Sequence, residues 1–434
     1  MPLRVLVTAY DISPIESQGS FRSGATDGWN LVEQLSRFCE VSVLTHSGNH
    51  ESILESLSHG SLPQVRFNFV DPPAWQNRFP GHEGSREALL YFWEKRALQT
   101  ARSLHAENAF DAVHHLSPRF GSTPPLLSTA LPVPSLWGPV ASETRPPLNG
   151  SGVKRPSHGR SGRRLDRILQ QTGTFRRLRR RSYPKTSALL LGDSAPEVVQ
   201  SFPDELKDRI FFFPGGGISK NRMVSAASLS ESRGEFSVLA AGDFKFLDGY
   251  LLLIQAFFEF SRKHTSAELA VVGKGWQDER VGRLMRELSL GSRIELWDWM
   301  PRKDLQEKLK QSHVYIAPDF DAGTSSLCVD AMAAGVPVVT FQGGGAHVFV
   351  EEAWGITIPW ETPRQIAGGL KEALDRLASA SGLRHRMGRA ALRNVRENLV
   401  WEQQGKNLES VYSQTLLQDE SIRIARKGKG RFFY

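Results

Sequence analysis

The chain has 434 residues, a formal net charge of +8, 40% hydrophobic and 23% charged residues, which is ordinary for a globular protein of two to three domains. Cores of that size need no disulfide or metal staple. The two cysteines, Cys39 and Cys328, lie far apart without CxxC partners, which excludes a cysteine-ligated zinc site and a disulfide framework.

In chain order, the first strand is predicted at Arg4–Tyr10, followed by a polar, glycine- and serine-containing loop from Asp11 to Thr26. Trp29, Leu31, Val32, Leu35 and Phe38 then recur at helical spacing, and Val41–Thr45 reads as a second buried strand. Strand, loop, helix and strand without a hairpin signal make a βαβ unit and hence a parallel sheet. Further strands are expected at Val65–Val70, Ala112–His115, Val133–Trp137 and Ala188–Leu191, with a long helix from about Arg86 to Glu107. Residues 142–164 read as a loop, and a basic helix-like stretch reaches Arg181.

A second α/β series follows the glycine run Pro214–Gly217. Its strands are expected at Phe236–Ala241, Leu269–Val272, Ile294–Leu296, Val314–Ala317 and Val336–Thr340. Helices are expected at Tyr250–His264, through Leu284 and Leu288, at Arg302–Gln311 and at Cys328–Ala334, and everything after about Thr362 reads as helix. The expected architecture is α/β, two doubly wound domains: residues 1–205, residues 206–385, and closing helices over 386–434.

No run of about 18 apolar residues occurs, so no transmembrane helix is expected. Met1–Leu6 enters a strand at once, so no signal peptide is expected and an intracellular setting follows. The positive charge is concentrated. Twelve Lys or Arg residues and one acid, Asp166, lie between Lys154 and Lys185, leaving the remainder slightly acidic. Arg176, Arg177, Arg179, Arg180 and Arg181 suit an anionic membrane surface or a charged acceptor. A solvated basic loop and helix reads the same residues equally well. A nucleic-acid role is not expected, because only Phe175 and Tyr183 offer stacking there.

Ligands of open parallel sheets bind at loops leaving the carboxyl ends of strands, and four such segments stand out. Gly19, Ser20 and Gly24 follow the first strand and lead into a helix, where backbone can approach an anion. His114 and His115 end a strand and point to opposite faces, which disfavours a shared metal; one cleft-facing histidine and one packed histidine are comparable readings. Gly323, Thr324, Ser325 and Ser326 precede a helix carrying Asp330, with Asp321 just before them, and offer donors and carboxylates to a diphosphate or sugar hydroxyls. Asp330 reads equally well as a helix acid. Gly343–Ala346 follows another strand.

These segments, in this order, resemble the family 4 glycosyltransferases. The resemblance is carried by Asp330-Ala331-Met332-Ala333-Ala334-Gly335-Val336-Pro337-Val338-Val339, Val272-Gly273-Lys274-Gly275, Met300-Pro301 and Gly249 through Ala256-Phe257. Asp27–Asn30, His114-His115 and Trp137–Val140 resemble a bacterial, polysaccharide-associated sub-branch. The resemblance implies the GT-B fold, with two Rossmann-like domains facing a cleft and terminal helices, marked by Trp401 and Tyr412, crossing back. It implies retaining transfer from a nucleotide sugar to a glycan or lipid-linked acceptor in the cytoplasm, with no metal and no further cofactor. It assigns Asp321 and Asp330 to hydroxyls, His114 or His115 to the donor sugar, and Lys245, Lys274, Met300 and the Gly19–Ser20 and Gly323–Ser326 loops to the donor. The chain departs from the family where its two glutamates fall on Ala322 and Asp330, and where its Arg and Lys appear as Asp243 and Asp248. These departures also admit a catalytically inactive GT-B partner of an active enzyme.

Overall fold

The computed structural model describes residues 2–14, 24–71, 86–116, 126–129, 131–140, 182–192, 199–200, 202–224, 235–242, 247–273, 279–291, 293–317, 325–342, 346–359 and 362–429. Two parallel sheets organise them. The first has seven strands: β1 (Leu3–Ala9), β2 (Cys39–His46), β3 (Arg66–Val70), β4 (Ala112–Leu116), β5 (Ser135–Val140), β6 (Thr186–Leu191) and β7 (Ile210–Phe212). Their order is β3-β2-β1-β4-β5-β6-β7, so the winding direction reverses between β1 and β4. The edge strand β7 pairs with β6 and carries the first sheet past the expected boundary at residue 205.

Alternation along β4 places its side chains on two cores. Ala112 and Leu116 face a layer with α1 (Gly24–Leu35) and the last helix, whereas Val113 faces α3 (Arg86–Asn108); α2 (His50–Ser58) lies between β2 and β3 in the chain. Helix α3 forms because Trp93, Ala97 and Ala101 recur one turn apart and are all buried. Trp93 Nε1 donates to Val70 O at 3.2 Å, which satisfies its buried donor.

The second sheet has six strands: β8 (Ser237–Ala241), β9 (Glu268–Val272), β10 (Ile294–Trp297), β11 (Val314–Ile316), β12 (Val338–Phe341) and β13 (Gly355–Ile358). Their order is β10-β9-β8-β11-β12-β13, reversing between β8 and β11. Helices α4 (Leu247–Ser261), α5 (Glu279–Glu287), α6 (Arg302–Gln311) and α7 (Ser325–Ala333) follow β8, β9, β10 and β11. The closing helices are α8 (Pro363–Ser379), α9 (Ser381–Asn394) and α10 (Trp401–Lys429). Thr362 caps α8 in a capping box with Gln365, and Pro363 occupies the first turn, where its missing N–H costs nothing.

Two crossings join the sheets and pair with each other. Ile218 N donates to Leu399 O at 2.9 Å, and Trp401 N donates to Ile218 O at 3.2 Å. A side chain at Gly217 is excluded, since its Cβ would lie 2.8 Å from the Trp401 ring. Beyond that point α10 returns to the first sheet. Leu408, Val411 and Tyr412 are buried against α1 and β1, at the three- and four-residue steps of one helical face. Among the described residues no helix is long and apolar enough to cross a membrane.

Candidate functional site

Each sheet has one place where the strand order reverses, and in open parallel sheets ligands bind at such a place, beyond the carboxyl ends of the strands. In the first sheet that place lies between β1 and β4. Thr8 and His115 are register partners there, and Thr8 Oγ1 lies 2.8 Å from His115 Nδ1. On the other side His115 Nε2 comes within 3.5 Å of Glu94 Oε1, and Glu94 Oε2 accepts from Leu126 N at 2.5 Å. The three side chains are buried. Burial pushes the Glu94 carboxyl up to about 8 and, with neighbouring His114, lowers His115 to about 3. At neutral pH this is therefore a protonated acid beside a neutral imidazole.

The two adjacent histidines do point to opposite faces. His114 turns toward α10, where Nδ1 lies 2.8 Å from the Tyr412 hydroxyl and Nε2 lies 2.9 Å from Gly138 O. A carbonyl only accepts, so Nε2 carries the hydrogen and Nδ1 accepts from Tyr412. Burial lowers His114 to about 4, which keeps it neutral, and raises the Tyr412 hydroxyl. His114 is fully buried and both its nitrogens are engaged. Its candidacy as a sugar contact is corrected on that ground. It is a packed histidine that fastens the returning helix to β4 and β5.

In the second sheet the reversal lies between β8 and β11, whose carboxyl ends precede residues 243–246 and 318–324. Helix α7 starts beyond the second of these segments and buries Ser326, Leu327, Cys328, Val329 and Asp330. A buried carboxylate in such a helix must be paired. Arg302, the first residue of α6, donates to Asp330 Oδ2 from Nε at 2.8 Å and from Nη2 at 2.7 Å. Arg222 Nη2 donates to Oδ1 at 2.7 Å. The amide of Gln306, one turn beyond Arg302, lies against Arg222; assigned with its oxygen toward the guanidinium, it accepts from Nε at 2.6 Å and Nη2 at 2.7 Å. Arg222 reaches the cluster from a single helical turn, Lys220–Arg222, in the segment between the sheets. That segment is also pinned to α7 through Val224 N to Ala333 O at 3.1 Å.

Among the expected site residues, Gly24 opens α1, Ser325 opens α7, the Ser326 side chain is buried without a hydrogen-bond partner, and Met300 packs beside the core under α7. Gly19, Ser20, Lys245, Lys274, Asp321, Gly323, Thr324 and Arg176, Arg177, Arg179, Arg180 and Arg181 lie outside the described residues, as do Asp243 and Ala322. Among the described residues no group of three or more His, Cys, Asp or Glu side chains is arranged to hold a metal.

Sequence reasoning missed Glu94, Arg222 and Arg302. Glu94 had a readable signal: it stands in a helical stripe with Leu90 and Leu98, where an apolar residue belongs. The arginines had none, since Arg222 and Asp330 are 108 residues apart.

Residues 225–393 match the family described as glycosyl transferases group 1. Spore coat protein SA of Bacillus subtilis is 27% identical over 188 residues, covering 41% of this chain and 49% of that protein. The chain spans about half the length of the curated relatives it matches, 49% and 45% for the first two. A glycosyltransferase from Rickettsia africae superposes with a TM-score of 0.62 at 13% identity, covering 95% of this chain and 99% of that one. Sucrose-phosphate synthase from Thermosynechococcus elongatus superposes with a TM-score of 0.63 at 14% identity, covering 96% and 100%. Two doubly wound sheets facing a cleft, with the last helix returning to the first, give this chain the GT-B fold, and its second domain is related to the glycosyl transferases group 1.

Proposed function

We propose that the chain is a glycosyltransferase that moves a sugar from a nucleotide-sugar donor to a glycan or lipid-linked acceptor with retention of configuration. The observation that carries this reading is the coincidence of the family match over 225–393 with a sheet whose winding reverses inside that range, between β8 and β11. Donor contacts fall to Lys245, Lys274, Met300 and the Gly19–Ser20 and Gly323–Ser326 segments, with Asp321 as hydroxyl acceptor. His115 stands at the opposing crevice of the first sheet, and Glu94 and Thr8 fix its ring there. No cofactor enters this scheme.

The setting proposed is cytoplasmic, with the run Arg176–Arg181 against the inner, anionic face of a membrane, at about 1 kcal/mol for each arginine near the surface. Vesicles of anionic and of neutral lipid test this: preferential sedimentation with the anionic ones is expected, and equal sedimentation refutes it. Activity is tested by nucleoside diphosphate release from UDP-, GDP-, ADP- and dTDP-sugars with bacterial glycolipid extracts as acceptor. The anomeric proton spectrum of the product then reports retention. A non-catalytic GT-B partner is the second reading, favoured by the sequence, which carries Asp243 and Asp248 where the resembled family has an Arg and a Lys, and Ala322 where it has a glutamate. Saturable donor binding with no release under any acceptor supports that second reading.

A further inference from the structure

Helix α9 carries more positive charge than its folding explains. It buries Met387, Gly388, Ala391 and Leu392, and exposes Arg386, Arg389 and Arg393. The π-helical turn Val395–Leu399 continues it and adds the exposed Arg396. Steps of three, four and three residues keep the four arginines on one face, about 15 Å from first to last. No aspartate or glutamate occurs between Ser381 and Arg396. Among the described residues none of the four has a hydrogen-bond or ion-pair partner, and Glu397, four residues beyond Arg393, makes no ion pair with it.

Elsewhere exposed cations stand beside acids three or four residues away, as in Lys310–Glu307 and Lys371–Asp375. In α9 the neighbours at those steps are like charges, which weakens a helix. Arg384 also stands in a first turn that has neither an acid nor a side-chain cap, against the helix dipole. The pattern is unfavourable to the helix and favourable to an anionic surface.

The stripe stands apart from the donor crevice. A Cβ at Gly388 would strike the carbonyl of Gly335, which precedes β12. The Arg384 guanidinium lies 5.4 Å from the ring of Phe236, which precedes β8. Helix α9 thus crosses the amino edge of the second sheet, whereas ligands of parallel sheets bind at the carboxyl ends.

Shape and charge select the partner. Among the described residues α9 exposes no large apolar side chain. A protein interface needs such an anchor at its centre, and a single-stranded nucleic acid needs rings to stack on. A straight row of cations without either fits a plane of many anions that attracts it by charge alone. We propose that the face of α9 formed by Arg386, Arg389, Arg393 and Arg396 holds the second domain on the anionic headgroups of a membrane. The proposal shares the membrane setting described above but rests on residues other than Arg176–Arg181.

Sedimentation of the full chain with phosphatidylcholine vesicles, with and without phosphatidylglycerol, tests this. The proteins are the wild type, R386Q/R389Q/R393Q/R396Q, the matching R386K/R389K/R393K/R396K, and a variant with Arg176, Arg177, Arg179, Arg180 and Arg181 changed to glutamine. The wild type is expected to prefer the phosphatidylglycerol vesicles and to leave them as salt rises. The glutamine variant of α9 is expected to bind them about fivefold more weakly for each arginine removed, the equivalent of about 1 kcal/mol apiece. The lysine variant keeps the charge and is expected to keep the binding. Loss of four mutually repelling charges is expected to leave melting no lower than in the wild type. Should the glutamine variant fail to fold, R389Q/R393Q carries the test. Undiminished binding by a folded glutamine variant of α9 overturns the proposal; where the 176–181 variant has then lost binding, the membrane setting belongs to that run alone. Loss in the α9 variant with none in the 176–181 variant supports the proposal and refutes the other assignment. A wild type without preference for phosphatidylglycerol overturns both. Short duplex DNA that binds the wild type but not the glutamine variant, at a salt concentration where vesicles do not bind, overturns the lipid assignment in favour of nucleic acid. No donor enters these measurements, so their outcome is separate from that of the transferase reading.

Discussion

Glu94 offers a test whose size follows from its surroundings. Burial pushes its carboxyl up to about 8, far above the usual value for a glutamate of about 4.3. The folded protein thus keeps this proton through neutral pH, whereas the unfolded chain sheds it above about pH 4.3. A group raised in this way contributes stability that is present at low pH and lost as pH rises through the folded value. At about 1.4 kcal/mol per unit, the stretch from about pH 6.5 to 8 removes about 2 kcal/mol. His114 and His115 work from the other side. Burial lowers them to about 4 and about 3, so the unfolded imidazoles take up protons below about pH 6.5 while the folded ones stay neutral. Stability therefore also falls toward acid, and the three groups together put their combined optimum near about pH 6.5. Glu94→Gln keeps the shape of the protonated acid, including the acceptor for Leu126 N, and removes the titration. Urea unfolding followed by tryptophan fluorescence at pH 5, 6.5 and 8 reads the effect, since Trp93 is fully buried one residue away. The stability of the variant relative to wild type is expected to grow with pH, by about 2 kcal/mol between about pH 6.5 and 8. A difference that stays constant across this range refutes the protonated-acid assignment.

Tyr412→Phe keeps the ring against Phe38 and strips the donor from His114 Nδ1, which leaves a buried acceptor unsatisfied. A loss of about 1–3 kcal/mol is expected in urea unfolding, and wild-type stability contradicts the hydroxyl's role. Burial pushes the Cys39 thiol up to about 12 and raises Cys328 as well, and both are buried. A chromogenic disulfide reagent is therefore expected to leave the native protein unlabelled and to titrate two thiols in guanidinium chloride; rapid labelling of the native protein contradicts this.

The strands legible in the sequence were those with apolar, β-branched runs, such as Val5–Val7 and Val314–Ile316, because a strand covered by helices on both faces needs them. The edge strands β7 and β13 escaped, since three or four residues carry no period and an edge is half covered. Strand β5 runs from Ser135 to Val140 and not from Val133 to Trp137: its second half, Gly138-Pro139, reads as a turn until β6 pairs with Val140. The site was legible in part. Asp330 stood out by its place in α7, yet its partners lie on α6 and on the segment between the sheets, and only folding brings them within 2.8 Å. His114 stood out as well, but its role is set by Tyr412, 298 residues later, which no local pattern announces.

The central claim is that the crevice of the second sheet holds a nucleotide sugar. Calorimetric titration of the full chain with UDP-, GDP-, ADP- and dTDP-sugars tests it most directly. One base series is expected to bind saturably at one molecule per chain and to be displaced by its free nucleoside diphosphate. The absence of saturable binding by every donor, at high protein concentration, contradicts the account.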